Sequence, residues 1–101
     1  MNKDSLEDLK LRYIELDNLR QKDLTSIEVQ EEIRWAISTV AGIAADWNEK
    51  GYAEYLRDVS DYFGRWGIYS ASQEVYKQKL AELCTELEDK IQNMKANLPY
   101  G

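Results

Sequence analysis

Carboxylates at helical spacing are the first residues of this sequence that could do chemistry. Glu28 and Glu31 are three residues apart, and Asp58 and Asp61 repeat that spacing later in the chain. Residues three apart on an α-helix share one face, so each pair presents two carboxylates to one side. Two such faces opposed would offer Mg²⁺ the oxygen ligands that it prefers. The alternative is that the four carboxylates lie on solvated helix faces.

The sequence around these pairs resembles the all-α MazG-like nucleoside triphosphate pyrophosphohydrolases. That family carries Glu-x-x-Glu on one helix and Glu-x-x-Asp on a later helix, with Mg²⁺ between them. Here Glu28-Val29-Gln30-Glu31 matches the first pair, and Glu54-Tyr55-Leu56-Arg57-Asp58-Val59 lines up with the second region. Tyr55 stands where the family has its third Glu. The resemblance covers about the middle half of the chain and implies, as an alternative function, Mg²⁺-dependent hydrolysis of nucleotides.

The sequence lacks the residues that nucleophilic and acid–base catalysis usually require. The chain has no histidine, which removes the commonest general base and the commonest transition-metal ligand. The single cysteine, Cys84, lies beside the apolar stripe of a predicted helix, where Glu82 and Glu86 would raise rather than lower its pKa. We therefore expect Cys84 to be a core or boundary residue, and we expect no catalytic residue and no cofactor.

Apolar residues that fall outside the predicted core stripes are the stronger functional signal. On the first predicted helix, Leu11, Ile14 and Leu19 lie to the flanks of the core stripe. On the second, Trp35 lies roughly opposite the stripe. A helix that is apolar over more than one face contacts something outside its own fold or is deeply buried. The four residues are therefore the predicted partner-binding positions, with the first helix pairing in a homodimer and Trp35 contacting another protein.

The net charge indicates which classes of partner are expected, and the absence of targeting signals indicates the compartment. Asp and Glu number 19 against 13 Lys and Arg, which gives a net charge of -6. Such a surface repels phosphate backbones and acidic lipids, so we expect neither nucleic-acid nor membrane binding. No secretory or transit signal and no membrane-spanning stretch is evident, which predicts a cytoplasmic protein. A second alternative is an inhibitor that mimics DNA by presenting rows of carboxylates.

The segments that must position these residues show apolar residues at helical spacing. Four patterns predict helices over approximately 5–22, 26–50, 52–66 and 71–98, joined by short connections that favour antiparallel neighbours. A chain of 101 residues has room for one core. The prediction is an all-α fold, a single-domain antiparallel bundle of three to four helices over residues 1–101.

Local signals define the ends of these helices. Ser5 and Asp8 predict a capping box for the first helix, and Thr25 with Glu28 predicts one for the second. Gly51 is predicted to supply the left-handed residue that ends the second helix. On the third helix, Tyr62 and Trp66 follow the core period and should pack against the second and fourth helices.

Together these observations predict a small acidic helical module that binds another protein without catalysis. An adaptor, an immunity-type protein and a phage-type inhibitor of a host machine all fit this description. The pyrophosphohydrolase and the DNA mimic are the alternatives.

Overall fold

The computed structural model describes residues 3–63 and 73–97, and these residues form four α-helices and no strand. The helices are α1 (Lys3–Leu19), α2 (Ile27–Asp46), α3 (Lys50–Ser60) and α4 (Gln73–Asn97). The predicted all-α bundle is confirmed. The predicted positions of Trp66 and of the ends of the last two helices at residues 66, 71 and 98 lie outside the described residues.

Each helix packs against the helices next to it around the bundle. α2 makes its largest contact with α3, α1 lies against α2 and α4, and a smaller contact joins α3 to α4. Side-chain pairs across the last interface run in opposite directions, since Tyr52 meets Lys90 and Tyr62 meets Lys79. The predicted antiparallel arrangement is confirmed at this interface.

The core is an aliphatic layer to which every helix contributes one face. Apolar side chains from all four helices are less than 10% exposed, and Phe63, which follows α3, is fully buried against Tyr76 with 5.2 Å between ring centres. The predicted stripes of α2 and α4 supply ten of these buried side chains. They are Ile33, Ile37, Val40, Ala44, Tyr76, Leu80, Leu83, Leu87, Ile91 and Met94.

The C-terminus of α2 corrects the predicted role of Gly51. The left-handed residue is Asn48, with φ of 63°, whereas Gly51 lies inside α3. The amide N–H of Glu49 donates to the carbonyl of Ala44 at 2.9 Å, and that of Asn48 donates to Ala45 at 3.1 Å. This is a Schellman motif, in which asparagine takes the position that glycine usually fills. Because α2 stops at Asp46, α3 begins earlier than predicted.

The predicted capping boxes are also wrong. Helix α1 begins at Lys3, so Ser5 lies within its first turn rather than before it. At α2 the residue before the helix is Ser26, and it makes no capping hydrogen bond through its side chain. Instead the carboxylate of Asp23 accepts hydrogen bonds from the amide N–H of Thr25 at 3.0 Å and from its hydroxyl at 2.6 Å. These bonds lower the pKa of Asp23.

Two glutamines hold the α1–α2 connection against the bundle. Leu24 is fully buried, its amide N–H donates to Gln73 Oε1 at 2.8 Å, and its carbonyl accepts a hydrogen bond from Gln30 Nε2 at 2.8 Å. A buried backbone group without a partner would cost free energy. The glutamines of α4 and α2 therefore allow an apolar loop residue to enter the core with its polar atoms paired.

Candidate functional site

Trp35 is the most exposed large apolar residue that the structure describes, with 60% of its surface accessible. It lies two positions from Ile33 and two from Ile37, both buried. Because successive helical residues are about 100° apart, Trp35 lies on the side of α2 that faces away from the core. The predicted placement of Trp35 outside the core is confirmed.

Arg12 of α1 fixes the indole on this surface. Its guanidinium carbon lies 5.1 Å from the centre of the Trp35 ring, the geometry of a cation–π contact. Two carboxylates of α1 flank the guanidinium, with Nη1 at 3.1 Å from Glu15 Oε2 and Nε at 3.7 Å from Asp8 Oδ1. The Arg12 side chain is only 17% exposed. A mostly buried arginine, paired on its own helix, therefore supports an exposed tryptophan of the next helix; we name Trp35 and Arg12 the Trp35 surface.

The three predicted positions on α1 divide into two groups. Leu11 and Ile14 are each 55% exposed and, being three residues apart, share one face. Leu19 is 3% exposed and belongs to the core, so its prediction as a partner-binding residue is wrong. Helix α1 packs against both α2 and α4. The buried face of α1 is therefore wider than a single apolar stripe. Leu19 lies on the flank of the stripe and still within this buried face.

The four candidate metal ligands do not converge. Glu28, Glu31, Asp58 and Asp61 are all exposed. Over residues 3–63 and 73–97, no group of three or more acidic or cysteine side chains is placed to hold a metal ion. The Mg²⁺-dependent activity therefore remains a prediction that this arrangement of carboxylates does not favour, and the DNA mimicry remains an untested prediction.

The register of α2 against α3 explains why the carboxylates stay apart. Arg34 Nη1 donates to the carbonyl of Phe63 at 2.8 Å, which places Arg34 opposite the end of α3. A groove of about 500 Å³ between the two helices is lined by Arg34 and Ser38 on one side and by Arg57 and Asp61 on the other. The α2 side chains nearest Asp61 thus include an arginine and a serine rather than the predicted glutamates.

Cys84 is a core residue, as predicted. It is 2% exposed, and its pKa is raised to about 11, chiefly because burial disfavours the thiolate. Arg20 opposes this effect, and the carboxylates of Asp17 and Glu88 add to it. A thiol that is inaccessible and protonated at neutral pH is a poor nucleophile.

No described helix is long and apolar enough to cross a membrane. Comparison of the chain with protein-family models, with curated proteins and with solved structures found no match. The geometry of the surface is therefore the basis on which a function is proposed.

Proposed function

We propose that this protein is a non-catalytic binding module that recognises another protein through the Trp35 surface. The observation that carries the proposal is a tryptophan, 60% exposed, whose ring is held by an arginine of the neighbouring helix. Tryptophan and arginine are the residue types most enriched at the energetic centres of protein interfaces. An adaptor, an immunity-type protein and a phage-type inhibitor would all use such a surface.

The contact of Arg12 with Trp35 should increase the affinity of the protein for its partner. Ordering a side chain on binding costs about 0.5–1.5 kcal/mol. The contact with Arg12, itself paired with Glu15 and Asp8, orders the Trp35 ring before any partner arrives. The cost of ordering this ring is thus met during folding, and more of the burial energy of the indole is available for binding.

The acidic surroundings of Trp35 favour partners with a basic rim. Glu31 and Glu32 lie one turn before Trp35 on α2, and Glu28 lies a further turn away; all three are exposed. Complementary charges around an apolar centre raise the association rate and exclude acidic partners. The expected partner surface is therefore an apolar pocket bordered by lysine or arginine.

Quantitative capture tests this function. The protein is immobilised and exposed to a lysate of the source organism, and the retained proteins are measured by mass spectrometry for the wild type, Trp35→Ala and Ile27→Ala. Ile27 is the matched control because it lies on the same helix and is 50% exposed. Truncating a central interface tryptophan costs at least about 2 kcal/mol, or about thirtyfold in affinity.

The proposal is supported if the lysate contains a protein whose capture falls about thirtyfold with Trp35→Ala and is unchanged with Ile27→Ala. Equal capture by all three variants contradicts it, provided that circular dichroism shows the helices intact.

A further inference from the structure

Two tyrosines on one side of the α3–α4 interface hold lysines of α4. Lys90 Nζ lies 5.0 Å from the centre of the Tyr52 ring, and Lys79 Nζ lies 4.6 Å from that of Tyr62, which follows α3. Lys90 is also bound to Glu49 at 3.2 Å. Cation–π contacts therefore occur towards both ends of this interface.

Tyr55 lies between these two tyrosines in the chain, but α4 presents carboxylates to it. Beside Tyr55 is a depression of about 430 Å³ lined also by Ala81, Glu82, Thr85 and Glu86, which together we name the Tyr55 cleft. Burial, followed by the charges of Glu86 and Glu82, raises the pKa of the Tyr55 phenol, so both carboxylates act on this side chain. In the part of the chain that the structure describes, no lysine or arginine lies over the Tyr55 ring.

The charges of the cleft are only partly compensated. Glu82 has Lys79 at 4.0 Å, which is the outer limit of an ion pair, and Glu86 has no ion pair with any described residue. Thr85 donates its hydroxyl hydrogen to the Ala81 carbonyl at 3.0 Å, so its hydroxyl oxygen remains able to accept a bond. The polar atoms that line the cleft are therefore mainly acceptors.

A buried tyrosine holds the ring of Tyr55 in place beside the cleft. Tyr52 is stacked on Tyr55, with ring centres 6.1 Å apart and planes inclined by 18°, and is 9% exposed. Because the buried ring of Tyr52 lies against Tyr55, the aromatic wall of the cleft is ordered before a ligand binds, which reduces the entropic cost of binding.

We propose that the Tyr55 cleft binds a guanidinium group, either on an arginine side chain of a protein partner or on a small free guanidine. A guanidinium only donates hydrogen bonds, stacks on aromatic rings and pairs with carboxylates through two parallel bonds. It is also less strongly hydrated than an ammonium, which favours it over lysine at an aromatic wall. This site is separate from the Trp35 surface and does not depend on it.

The test is a titration of the ¹⁵N-labelled full chain, followed by amide chemical shifts. The probes are N-acetyl-arginine methylamide, N-butylguanidine, which carries the same single charge, and, as an uncharged analogue of the arginine probe, N-acetyl-citrulline methylamide. We expect saturable shifts at Tyr55, Glu82 and Glu86 with the two guanidinium probes and none with citrulline. Tighter binding of the blocked arginine identifies a protein side chain as the source of the group, and tighter binding of N-butylguanidine identifies a free guanidine.

Two variants separate a built site from general attraction of cations to an acidic protein. Glu86→Gln removes a charge from the cleft, whereas Glu74→Gln removes one from an exposed position on the same helix outside the cleft. We expect the dissociation constant to rise at least about threefold in Glu86→Gln, the scale of one exposed cation–π or ion-pair contact, and to stay unchanged in Glu74→Gln. Equal weakening in both variants, or shifts spread over all acidic faces, overturns the proposal.

Discussion

Truncation of Phe63 tests how α2, α3 and α4 pack together, which determines where the candidate residues lie. Phe63 is fully buried just beyond α3, packs against Tyr76 of α4 and offers its carbonyl to Arg34 of α2. Replacing a buried phenylalanine by alanine removes its whole transfer free energy and leaves a cavity, which together cost about 3–5 kcal/mol. Small domains have a total stability of about 5–15 kcal/mol, so Phe63→Ala should lose a large share of it.

The assay is thermal and urea unfolding followed by circular dichroism at the helical minimum. For a domain of this size each kcal/mol shifts the melting temperature by about 4–8 °C, so we expect Phe63→Ala to melt roughly 15–30 °C below the wild type. Phe63→Leu, which keeps most of the volume, is the control and should cost less than about 1.5 kcal/mol. A melting temperature of Phe63→Ala within a few degrees of the wild type would show that the α2–α3–α4 packing described here is wrong.

Three further results are expected. Trp35→Ala should keep its helical signal and lose no more than about 2 kcal/mol in urea unfolding, because most of the indole already faces solvent; a loss as large as that of Phe63→Ala would make Trp35 a core residue. Leu11→Glu with Ile14→Glu should abolish any dimer that light scattering detects in the wild type, since both side chains lie on one exposed face of α1; a wild-type protein that is monomeric at high concentration contradicts the predicted homodimer. Cys84 has its pKa raised to about 11 and is buried, so a thiol reagent at pH 8 should label it quickly in urea and slowly in the native state, and rapid native labelling would contradict its burial.

The helices were predictable because their periodicity is long and strong. The spacing of Ile33, Ile37, Val40 and Ala44 fixes the buried face of α2, and it places Trp35 on the opposite face by geometry alone. Exposure of Leu11 and Ile14 follows in the same way. These properties belong to single helices, so sequence pattern was sufficient for them.

Properties that depend on two helices were not predictable. Leu19 was misplaced because the width of the α1 core face depends on how many helices α1 contacts. One local feature was missed as well, since the left-handed residue is Asn48 although glycine is the usual choice and Gly51 lies nearby. The contact of Arg12 with Trp35 depends on the register of α1 against α2, which no local pattern encodes. In the sequence, the only signal that this arginine is held in place was the presence of Asp8 four residues before it and of Glu15 three residues after it.

Site-specific photo-crosslinking beside Trp35 tests the central claim most directly. Ser38, which is exposed on α2 three residues after Trp35, is replaced by p-benzoyl-phenylalanine so that Trp35 itself is kept, and Lys95, exposed near the end of α4, receives the same residue as a control. Both variants are irradiated in cells of the source organism, and adducts are identified by mass spectrometry. We predict one dominant protein adduct from position 38 that is absent from position 95 and that is lost when Trp35→Ala is added. Identical adduct patterns from the two positions, or none from position 38 in a folded and expressed protein, would contradict recognition through the Trp35 surface.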